Sequence, residues 1–331
     1  MTSIKAKTTK GKIESSARFS VAPMMDWTDR HCRYFHRKFT KRALLYTEMV
    51  AAAALIQGKA YHLLDYSEEE HPVALQLGGS DPIQLAEAAS IGQSRGYDEI
   101  NLNVGCPSDR VQSGSFGAVL MKNPKLVASC CEAMKKSTSV DITVKCRIGV
   151  DDQDPEQILP EFLNYISNSG IIRVIIHARK AVLKGLSPKE NRDIPPLDHE
   201  LVFRMKEKFP NLHISLNGGV TSLSAVNELL TKGIDGVMIG RSAYQQPTRV
   251  LSEVDRQIFE EEPIRSPFEV AEEMRSYLKE HFDNGGKPHQ VTRHMIGLFH
   301  GLPGAKTWRQ YLSNTSLHKN IDFYDEALAA V

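Results

Sequence analysis

One cysteine of this sequence stands in a setting that suggests chemistry rather than packing. Residues 101–110, NLNVGCPSDR, resemble a strand that runs into a turn, with Cys106 fixed between Gly105 and Pro107. A lone cysteine is most often an inert buried thiol; the other candidate roles are a zinc ligand, a nucleophile and a general acid. No Cys/His spacing supplies zinc partners, and a nucleophile needs a neighbouring base. A thiol with a pKa of about 8.5 is protonated at neutral pH, so the role of acid remains.

A second set of residues predicts a site for an anion. Lys145 and Arg147 are two positions apart in the run ITVKCRIG, so their side chains point the same way. Two neighbouring cations inside a fold are costly unless they face negative charge. His177 adds a donor, and the amides of Gln76 and Asn101 can bind the edge of a heterocycle.

Two glycine turns predict where a phosphate binds. They are Asn217-Gly218-Gly219 and Gly240-Arg241, and glycine lets backbone N–H groups approach an anion closely. Pro23-Met24-Met25 offers a flat apolar surface. A planar cofactor with a phosphate tail and a ring that becomes anionic fits this set, and reduced FMN is such a molecule. The residues assigned to it are Pro23, Met24, Met25, Gln76, Lys145, Arg147, His177, Asn217, Gly218, Gly219, Gly240 and Arg241.

The elements that position these residues alternate between short apolar runs and helical patterns. The runs cover 19–24, 44–50, 73–79, 99–105, 142–149, 173–179, 213–219 and 236–242. Eight strand–helix repeats predict an α/β fold, a (β/α)8 TIM barrel, in which the C-terminal strand ends carry the active site. An open doubly wound sheet is the alternative, but the glycine-rich turn expected after its first strand is missing.

Three regions are predicted along the chain. Residues 1–17 form a flexible basic tail, 18–249 an FMN-binding barrel and 250–331 a C-terminal helical domain. The helical prediction rests on amphipathic stretches such as SPFEVAEEMRSYLKEHF, with no strand-like run after them.

Composition restricts the class of protein. The 331 residues are 41% hydrophobic and 24% charged, which is typical of a soluble globular protein. The lysine-rich N-terminus lacks the apolar run of a signal peptide, and no stretch approaches the roughly 18 apolar residues of a membrane span. Five cysteines without a paired spacing predict neither a disulfide framework nor a metal site. We therefore expect a cytoplasmic protein that needs no membrane.

Two runs free of acidic residues suggest a polyanionic partner. Residues 30–42 carry six basic side chains, and residues 284–321 carry Lys287, Arg293, Lys306, Arg309 and Lys319 besides four histidines. Such runs are often only solvated faces, but two in one chain favour contact with nucleic acid.

Several long motifs resemble those of the flavin-dependent tRNA-dihydrouridine synthases. They include APMMDWTDRHCR, YTEMV, LQLGGSDP, INLNVGCPSDRVQSGSFGAVLM, VKCRIGVDD, LNGGV and VMIGRSAY, and the likeness runs from about residue 18 to about residue 315. HARKAVLKGLSPKENR and GLFHGLPGAKTWRQYLS are similar to the A subfamily, which acts on uridines 20 and 20a of the tRNA D-loop.

The resemblance implies a reaction and a role for each residue. NADPH would reduce FMN, hydride would pass from flavin N5 to uracil C6, and Cys106 would protonate C5 of a flipped-out uridine. It implies tRNA and NADPH as partners, the helical residues 250–331 as a tRNA-binding domain, and no obligate protein partner. The positions it implies for tRNA contact are Asn103, Lys189, Arg192, Lys306 and Arg309.

Three rival interpretations remain to be weighed. Another FMN barrel acting on a free pyrimidine, similar to dihydroorotate dehydrogenase, would share the phosphate turns but not need the basic helical region. An RNA-binding barrel without catalysis would not need Cys106, Lys145 and His177 together. A phosphosugar barrel would need paired carboxylates, which the strand ends lack.

Overall fold

The computed structural model describes residues 15–108, 114–262 and 265–331. Its centre is a closed barrel of eight parallel strands, in which β8 pairs with β1. The strands are β1 Phe19–Val21, β2 Leu44–Ala51, β3 Val73–Gly78, β4 Glu99–Val104, β5 Asp141–Arg147, β6 Arg173–His177, β7 His213–Asn217 and β8 Gly236–Ile239. The predicted barrel is thereby confirmed and the open sheet excluded.

Alternation of side chains along the strands separates two buried layers. Leu102 and Val104 belong to the large apolar layer between the strands and the surrounding helices. Asn101 and Asn103 face the barrel interior, as their spacing predicted, because successive side chains point to opposite faces. A small apolar cluster fills part of this interior and consists of Ala22, Leu44, Tyr46, Ala74, Ile175 and Met238.

Several barrel helices begin at residues with the sequence signals of a helix start. Asp81 and Asn123 cap two of them, each followed directly by proline, and their side chains accept from first-turn N–H groups. The helices are Arg30–Arg37, Ala52–Ile56, Pro82–Ser94, Pro124–Ser137, Pro155–Asn168, His199–Lys208, Leu223–Thr231 and Arg241–Gln245. Short 3-10 turns span Tyr61–Leu64, Glu68–Glu70, Gly117–Lys122 and Glu190–Arg192.

The C-terminal region is helical, as predicted. Its helices are Pro247–Leu251, Val254–Phe259, Pro267–Asp283, His289–Met295, Ala305–Ser313 and Asp322–Ala329, with a 3-10 turn at Thr315–Leu317. Trp308 is its largest fully buried side chain; its ring packs edge-on against Phe299 and Tyr324, and its Nε1 donates to the Met295 carbonyl at 2.9 Å. The predicted boundary after residue 249 falls inside helix Pro247–Leu251.

Residues 1–14 of the predicted tail lie outside the described residues. Ser16 and Ala17 are buried, so the packed part of the chain includes two residues that the sequence had assigned to the tail. Among the helices of the described ranges, none is long and apolar enough to cross a membrane.

Three basic residues of the first acid-free run, residues 30–42, are buried structural elements and not an exposed basic surface. Arg33 is 4% exposed and pairs with Glu70 at 2.6 Å. The buried Arg37 guanidinium donates to four backbone carbonyls between residues 40 and 72. Lys38 is also buried and pairs with Glu69. For Arg33, Arg37 and Lys38 the interpretation as a contact for a polyanion is wrong, because these buried side chains are taken up by carboxylates and carbonyls of the fold. For the exposed Arg30 and Lys41 it stays a prediction.

The same run joins the barrel to the helical region. Asp255 accepts hydrogen bonds from the Thr40 hydroxyl and from the Lys41 backbone N–H, the latter at 2.6 Å. Arg42 pairs with Glu261. Tyr34 of helix Arg30–Arg37 and Tyr277 of helix Pro267–Asp283 stack their rings with the centroids 4.0 Å apart.

Asp29 makes a second connection between the two regions. It caps helix Arg30–Arg37 and pairs with Arg293 at 2.5 Å and with His294 at 3.0 Å. Burial favours its neutral form, but the hydrogen bond and charge of His294, helped by the Cys32 N–H and Arg293, hold the pKa of Asp29 well below its usual range. Arg293, from the second acid-free run, therefore serves this connection.

Candidate active site

The C-terminal ends of the strands bring most of the predicted site residues together at one mouth of the barrel. Cys106 follows β4 and is partly exposed, whereas the other four cysteines are buried. Its backbone N–H donates to Asn103 Oδ1 at 2.9 Å, and its Sγ lies 3.5 Å from the Ser108 hydroxyl. Cys106 is therefore the one cysteine that a molecule in the mouth can reach.

Lys145 connects the cysteine side of the mouth to the predicted phosphate side. Its Nζ donates to Asn217 Oδ1 at 3.1 Å, and Asn217 Nδ2 donates to the Met238 carbonyl at 2.8 Å. Burial and the charge of Arg147 lower the pKa of Lys145 to about 8. A negative charge placed beside Lys145 would relieve both effects.

Arg147 connects two loops near Cys106 by hydrogen bonds. Its guanidinium donates to the carbonyl of Gly105 at 3.2 Å and to that of Asn191 at 2.9 Å. Burial, with the charges of Arg192 and Arg179, lowers its pKa to about 10. Arg147 thus holds the turn before Cys106 against the loop after β6.

His177 is buried next to these cations and is held in its neutral form. Burial, Arg147 and Lys145 in turn lower its pKa well below the usual range. A neutral imidazole can both donate and accept a hydrogen bond, so His177 can bind the polar edge of a ring without adding to the positive charge.

The first of the two predicted phosphate turns forms a cradle in which both glycines are required. Gly218 has φ of 109° and Gly219 has φ of 76°, where side chains are disfavoured. A Cβ on Gly218 would lie 2.6 Å from the His177 ring, and one on Gly219 would lie 2.4 Å from Leu197. Within the described residues, the N–H groups of Gly219 and Arg241 donate to no protein acceptor, which leaves them available to an anion.

Pro23, Met24 and Met25 follow β1 on the wall of the mouth. A Cβ on Gly240 would meet Met24 Sδ at 3.6 Å, which places this wall beside the second turn. Met25 is 52% exposed. Glu48 of β2 accepts from the Asp26 N–H at 2.5 Å, and burial raises its pKa. The apolar surface predicted for a planar ring is therefore present.

Gln76 and Asn101 are buried in the interior below the mouth. Gln76 Nε2 donates to Asn101 Oδ1 at 2.8 Å, and Asn103 Nδ2 donates to Gln76 Oε1 at 2.8 Å. Asn103 was predicted to contact RNA. Its carbonyl oxygen accepts from the Cys106 turn, and one of its amide hydrogens is donated to Gln76. Its second amide hydrogen remains for a ligand.

Arg179 and Arg192 follow β6 and interact with Arg241 after β8; sequence reasoning had assigned Arg192 to tRNA and Arg241 to the phosphate. Arg241 pairs with Asp193 at 2.7 Å. Burial and the charge of Arg241 lower the pKa of both Arg179 and Arg192, so the three guanidinium groups lie close together with Asp193 among them. Arg179 was missed; its signal was its position two residues after His177, at the same strand end.

The remaining residues predicted to contact tRNA are exposed and fall into two places. Lys189 and Arg192 lie on the loop after β6. Lys306 and Arg309 lie one turn apart on helix Ala305–Ser313, opposite the buried Trp308. No group of three or more potential metal ligands occurs among the described residues.

Comparison with known proteins decides the family. A family model described as dihydrouridine synthase matches residues 20–330. The chain belongs to the dihydrouridine synthase family. The resemblance found in the sequence motifs is thereby confirmed.

Curated relatives within the dihydrouridine synthase family match nearly the whole chain, and each is named tRNA-dihydrouridine(20/20a) synthase. The protein from Salmonella typhi is 56% identical over 304 residues, which cover 91% of this chain and 90% of the relative. That from Escherichia coli (strain K12) is 54% identical over 327 residues, covering 97% and 94%. That from Vibrio vulnificus (strain CMCP6) is 52% identical over 321 residues, covering 96% and 97%.

A solved structure supports the fold of this dihydrouridine synthase. An old yellow enzyme homologue from Zymomonas mobilis matches with a TM-score of 0.51, over 75% of this chain and 90% of that one. At 13% sequence identity, this likeness shows the barrel fold alone.

Proposed function

We propose that this protein is a tRNA-dihydrouridine(20/20a) synthase that uses bound FMN and NADPH to reduce uracil in the tRNA D-loop. The observation that carries the proposal is the identity of 52–56% to relatives of that name over at least nine-tenths of the chain. The mouth of the barrel agrees with it: the accessible Cys106 lies near the cations Lys145 and Arg147, and Lys145 donates to Asn217 of the first glycine turn.

The donor set fits FMN. The open N–H groups of Gly219 and Arg241 and the glycine cradle suit the phosphate, which a Cβ at either glycine of the first turn would displace. Pro23 to Met25 suit one face of the ring, and Gln76 suits its polar edge. Lys145 is the cation for negative charge on the ring, and the neutral His177 adds a hydrogen bond. When bound, FMN supplies the hydride that adds to uracil C6.

Each residue of this chain then has a defined task. Cys106 holds the proton that passes to C5, and its position after the β4 turn presents it to a base in the mouth. Arg147 fixes that turn through the Gly105 carbonyl. Asn103 offers its remaining amide hydrogen to the base. The target base must leave its stack to enter such a mouth.

The exposed basic residues suit the phosphates of tRNA. We assign Lys306 and Arg309 of the helical region, with Lys189 and Arg192 near the mouth, to backbone contacts that position the substrate. An enzyme of free pyrimidines would not need them, and no relative described above carries such a name. A tRNA substrate implies that the protein works in the cytoplasm.

Incubation with unmodified tRNA tests the proposal. Purified enzyme with NADPH should yield dihydrouridine at positions 20 and 20a, located by mass spectrometry of nuclease fragments, and the denatured protein should release FMN. Cys106→Ala should retain flavin and its reduction by NADPH but lose at least ~100-fold in dihydrouridine formation, as expected for a general acid. Cys146→Ala, at a buried cysteine outside the mouth, is the matched control. A protein without flavin, or a Cys106→Ala enzyme as active as the control, would refute the proposal.

A further inference from the structure

A buried carboxylate closes the end of the barrel opposite the mouth. Glu99 begins β4, is fully buried, and pairs with Arg173 of β6. The Tyr46 hydroxyl donates to its Oε1 at 2.7 Å, and the Thr143 hydroxyl donates to the same oxygen. None of these residues has a part in the chemistry proposed above, yet they occupy the most protected position of the interior.

A continuous line of hydrogen bonds runs from this carboxylate to the Cys106 turn. Asn101 Nδ2 donates to Thr143 Oγ1 at 2.8 Å, and Gln76 Nε2 donates to Asn101 Oδ1 at 2.8 Å. Asn103 Nδ2 donates to Gln76 Oε1 at 2.8 Å. Asn103 Oδ1 then accepts from the N–H of Cys106 at 2.9 Å and from that of Gly105 at 3.1 Å. Apart from these last two backbone N–H groups, the line consists of buried side chains.

The chemistry of Glu99 gives this line one direction. An ionised carboxylate can only accept, so the single hydroxyl hydrogen of Thr143 must point at it. Thr143 Oγ1 is then an acceptor for the next residue, which turns the NH2 group of Asn101 towards it and the carbonyl of Asn101 towards Gln76. The same requirement passes through Gln76 to Asn103.

The mouth requires the same direction. The turn presents two backbone N–H groups, so Asn103 must offer them its carbonyl oxygen. With every amide reversed, the NH2 group of Asn103 would face these two N–H donors. The carbonyl of Asn101 would then face Thr143, whose single hydroxyl hydrogen cannot serve both this carbonyl and Glu99. The end at Glu99 and the end at Cys106 therefore select the same orientation of all three amides, and hydrogen bonds in such a network support one another.

We propose that Glu99 and Thr143 are positioning residues for Cys106. They fix the orientation of the Asn101, Gln76 and Asn103 amides from the far end of the barrel and so hold the turn that presents the thiol. By the rise of a strand, Glu99 and Asn103 are about 13 Å apart. The effect on turnover rests on the proposed function, whereas the effect on the turn itself does not.

Substitutions at Thr143 test this inference in the flavin-loaded protein. Thr143→Val keeps the shape but can neither accept from Asn101 nor donate to Glu99, and Thr143→Ser restores the hydroxyl. Ser215→Ala is the control, because Ser215 is buried and faces the same interior but is not part of the line. Thr143→Ala is a second variant, should valine prevent folding; bound flavin and the melting temperature report that each variant is folded.

Two measurements are made on each variant. Hydrogen–deuterium exchange, resolved to Gly105 and Cys106 by fragmentation mass spectrometry, reports the bonds from these N–H groups to Asn103. Single-turnover oxidation of the reduced enzyme by tRNA reports protonation, and reduction by NADPH reports the half-reaction that does not use the thiol.

In Thr143→Val we expect both N–H groups to exchange about tenfold faster, the effect of losing roughly one hydrogen bond's contribution. The single-turnover rate should fall by a similar factor, while reduction by NADPH should fall by less, because Gln76 is only one of several residues assigned to the flavin. Thr143→Ser should restore both, and Ser215→Ala should alter neither. Unchanged exchange in folded Thr143→Val would overturn the inference, as would faster exchange with an unchanged single-turnover rate. A fall in the single-turnover rate of Ser215→Ala as large as that of Thr143→Val would also overturn it. If the wild-type enzyme failed to modify tRNA, the proposed function would be refuted. The exchange rates of Gly105 and Cys106 would still decide whether Thr143 holds the turn.

Discussion

Removing the desolvated cation Lys145 from the mouth should stabilise the flavin-free protein. The fold lowers the pKa of Lys145 from 10.5 to about 8, and each factor of ten in that equilibrium corresponds to about 1.4 kcal/mol. Holding Lys145 as a cation therefore costs the folded state up to roughly 3 kcal/mol at neutral pH. Met would remove that charge and leave Asn217 Oδ1 without its donor, a loss of about 1 kcal/mol.

We expect Lys145→Met to raise the free energy of unfolding of the flavin-free protein by about 1 to 2 kcal/mol at pH 7. The sign of the pH dependence follows from the direction of the shift. Because the pKa is lower in the folded state than in the unfolded chain, the penalty is complete below pH 8 and is relieved as the pH rises towards 10.5. Between pH 7 and pH 9 the wild type should gain roughly 1 to 1.5 kcal/mol relative to the variant.

Urea denaturation followed by circular dichroism at the two pH values measures both quantities. Lys136→Met, at an exposed lysine on helix Pro124–Ser137, is the control and should change stability little. A stability difference between wild type and Lys145→Met that is the same at pH 7 and pH 9 would refute the reasoning, as would a less stable variant. The substitution should also weaken flavin binding, since it removes the cation that we assign to the ring.

Three further predictions follow from other contacts. Gly218→Ala should lower FMN affinity at least ~10-fold, because φ of 109° is strained for alanine and the new Cβ would lie 2.6 Å from the His177 ring; fluorescence titration of released flavin measures this. Replacing both Lys306 and Arg309 by glutamine should weaken tRNA binding and reduce the slope of log affinity against log salt by about 1 to 2, and an unchanged slope would contradict their assignment. Glu70→Gln should destabilise the protein by about 3 to 5 kcal/mol in chemical denaturation, because it leaves the buried Arg33 without its counter-charge; a loss below 1 kcal/mol would show that the pair is not needed.

The barrel and its mouth could be predicted from sequence because their signals are local. Each strand is a short apolar run, many of the barrel helices begin at a capping residue, and the proposed site lies where the strands end. Cys106 stands out through its immediate neighbours, Gly105 and Pro107. The side chains of Lys145 and Arg147 point the same way because the two residues are two positions apart in a strand.

The contacts that could not be predicted join residues distant in sequence. Arg33 and Arg37 look like a basic surface until the fold brings the Glu70 side chain and the carbonyls of Glu70 and Pro72 to them. Arg241 meets Asp193, which lies 48 positions away. Glu99 is only a polar residue at a strand start, and nothing in its own segment indicates a connection with Cys106. Pattern and spacing therefore indicate the groups that we propose to react but not the residues that hold them.

The connection through residues 29–42 bears on how the protein can be divided. A fragment that ends near residue 249 would lose the partners of Asp29, Thr40 and Tyr34, leaving an acid and an aromatic face open to water. The barrel and the helical region should accordingly melt in a single transition. An exchange of the helical region between relatives should succeed only when residues 29–42 are exchanged with it, so the unit that can be transplanted is discontinuous in the chain.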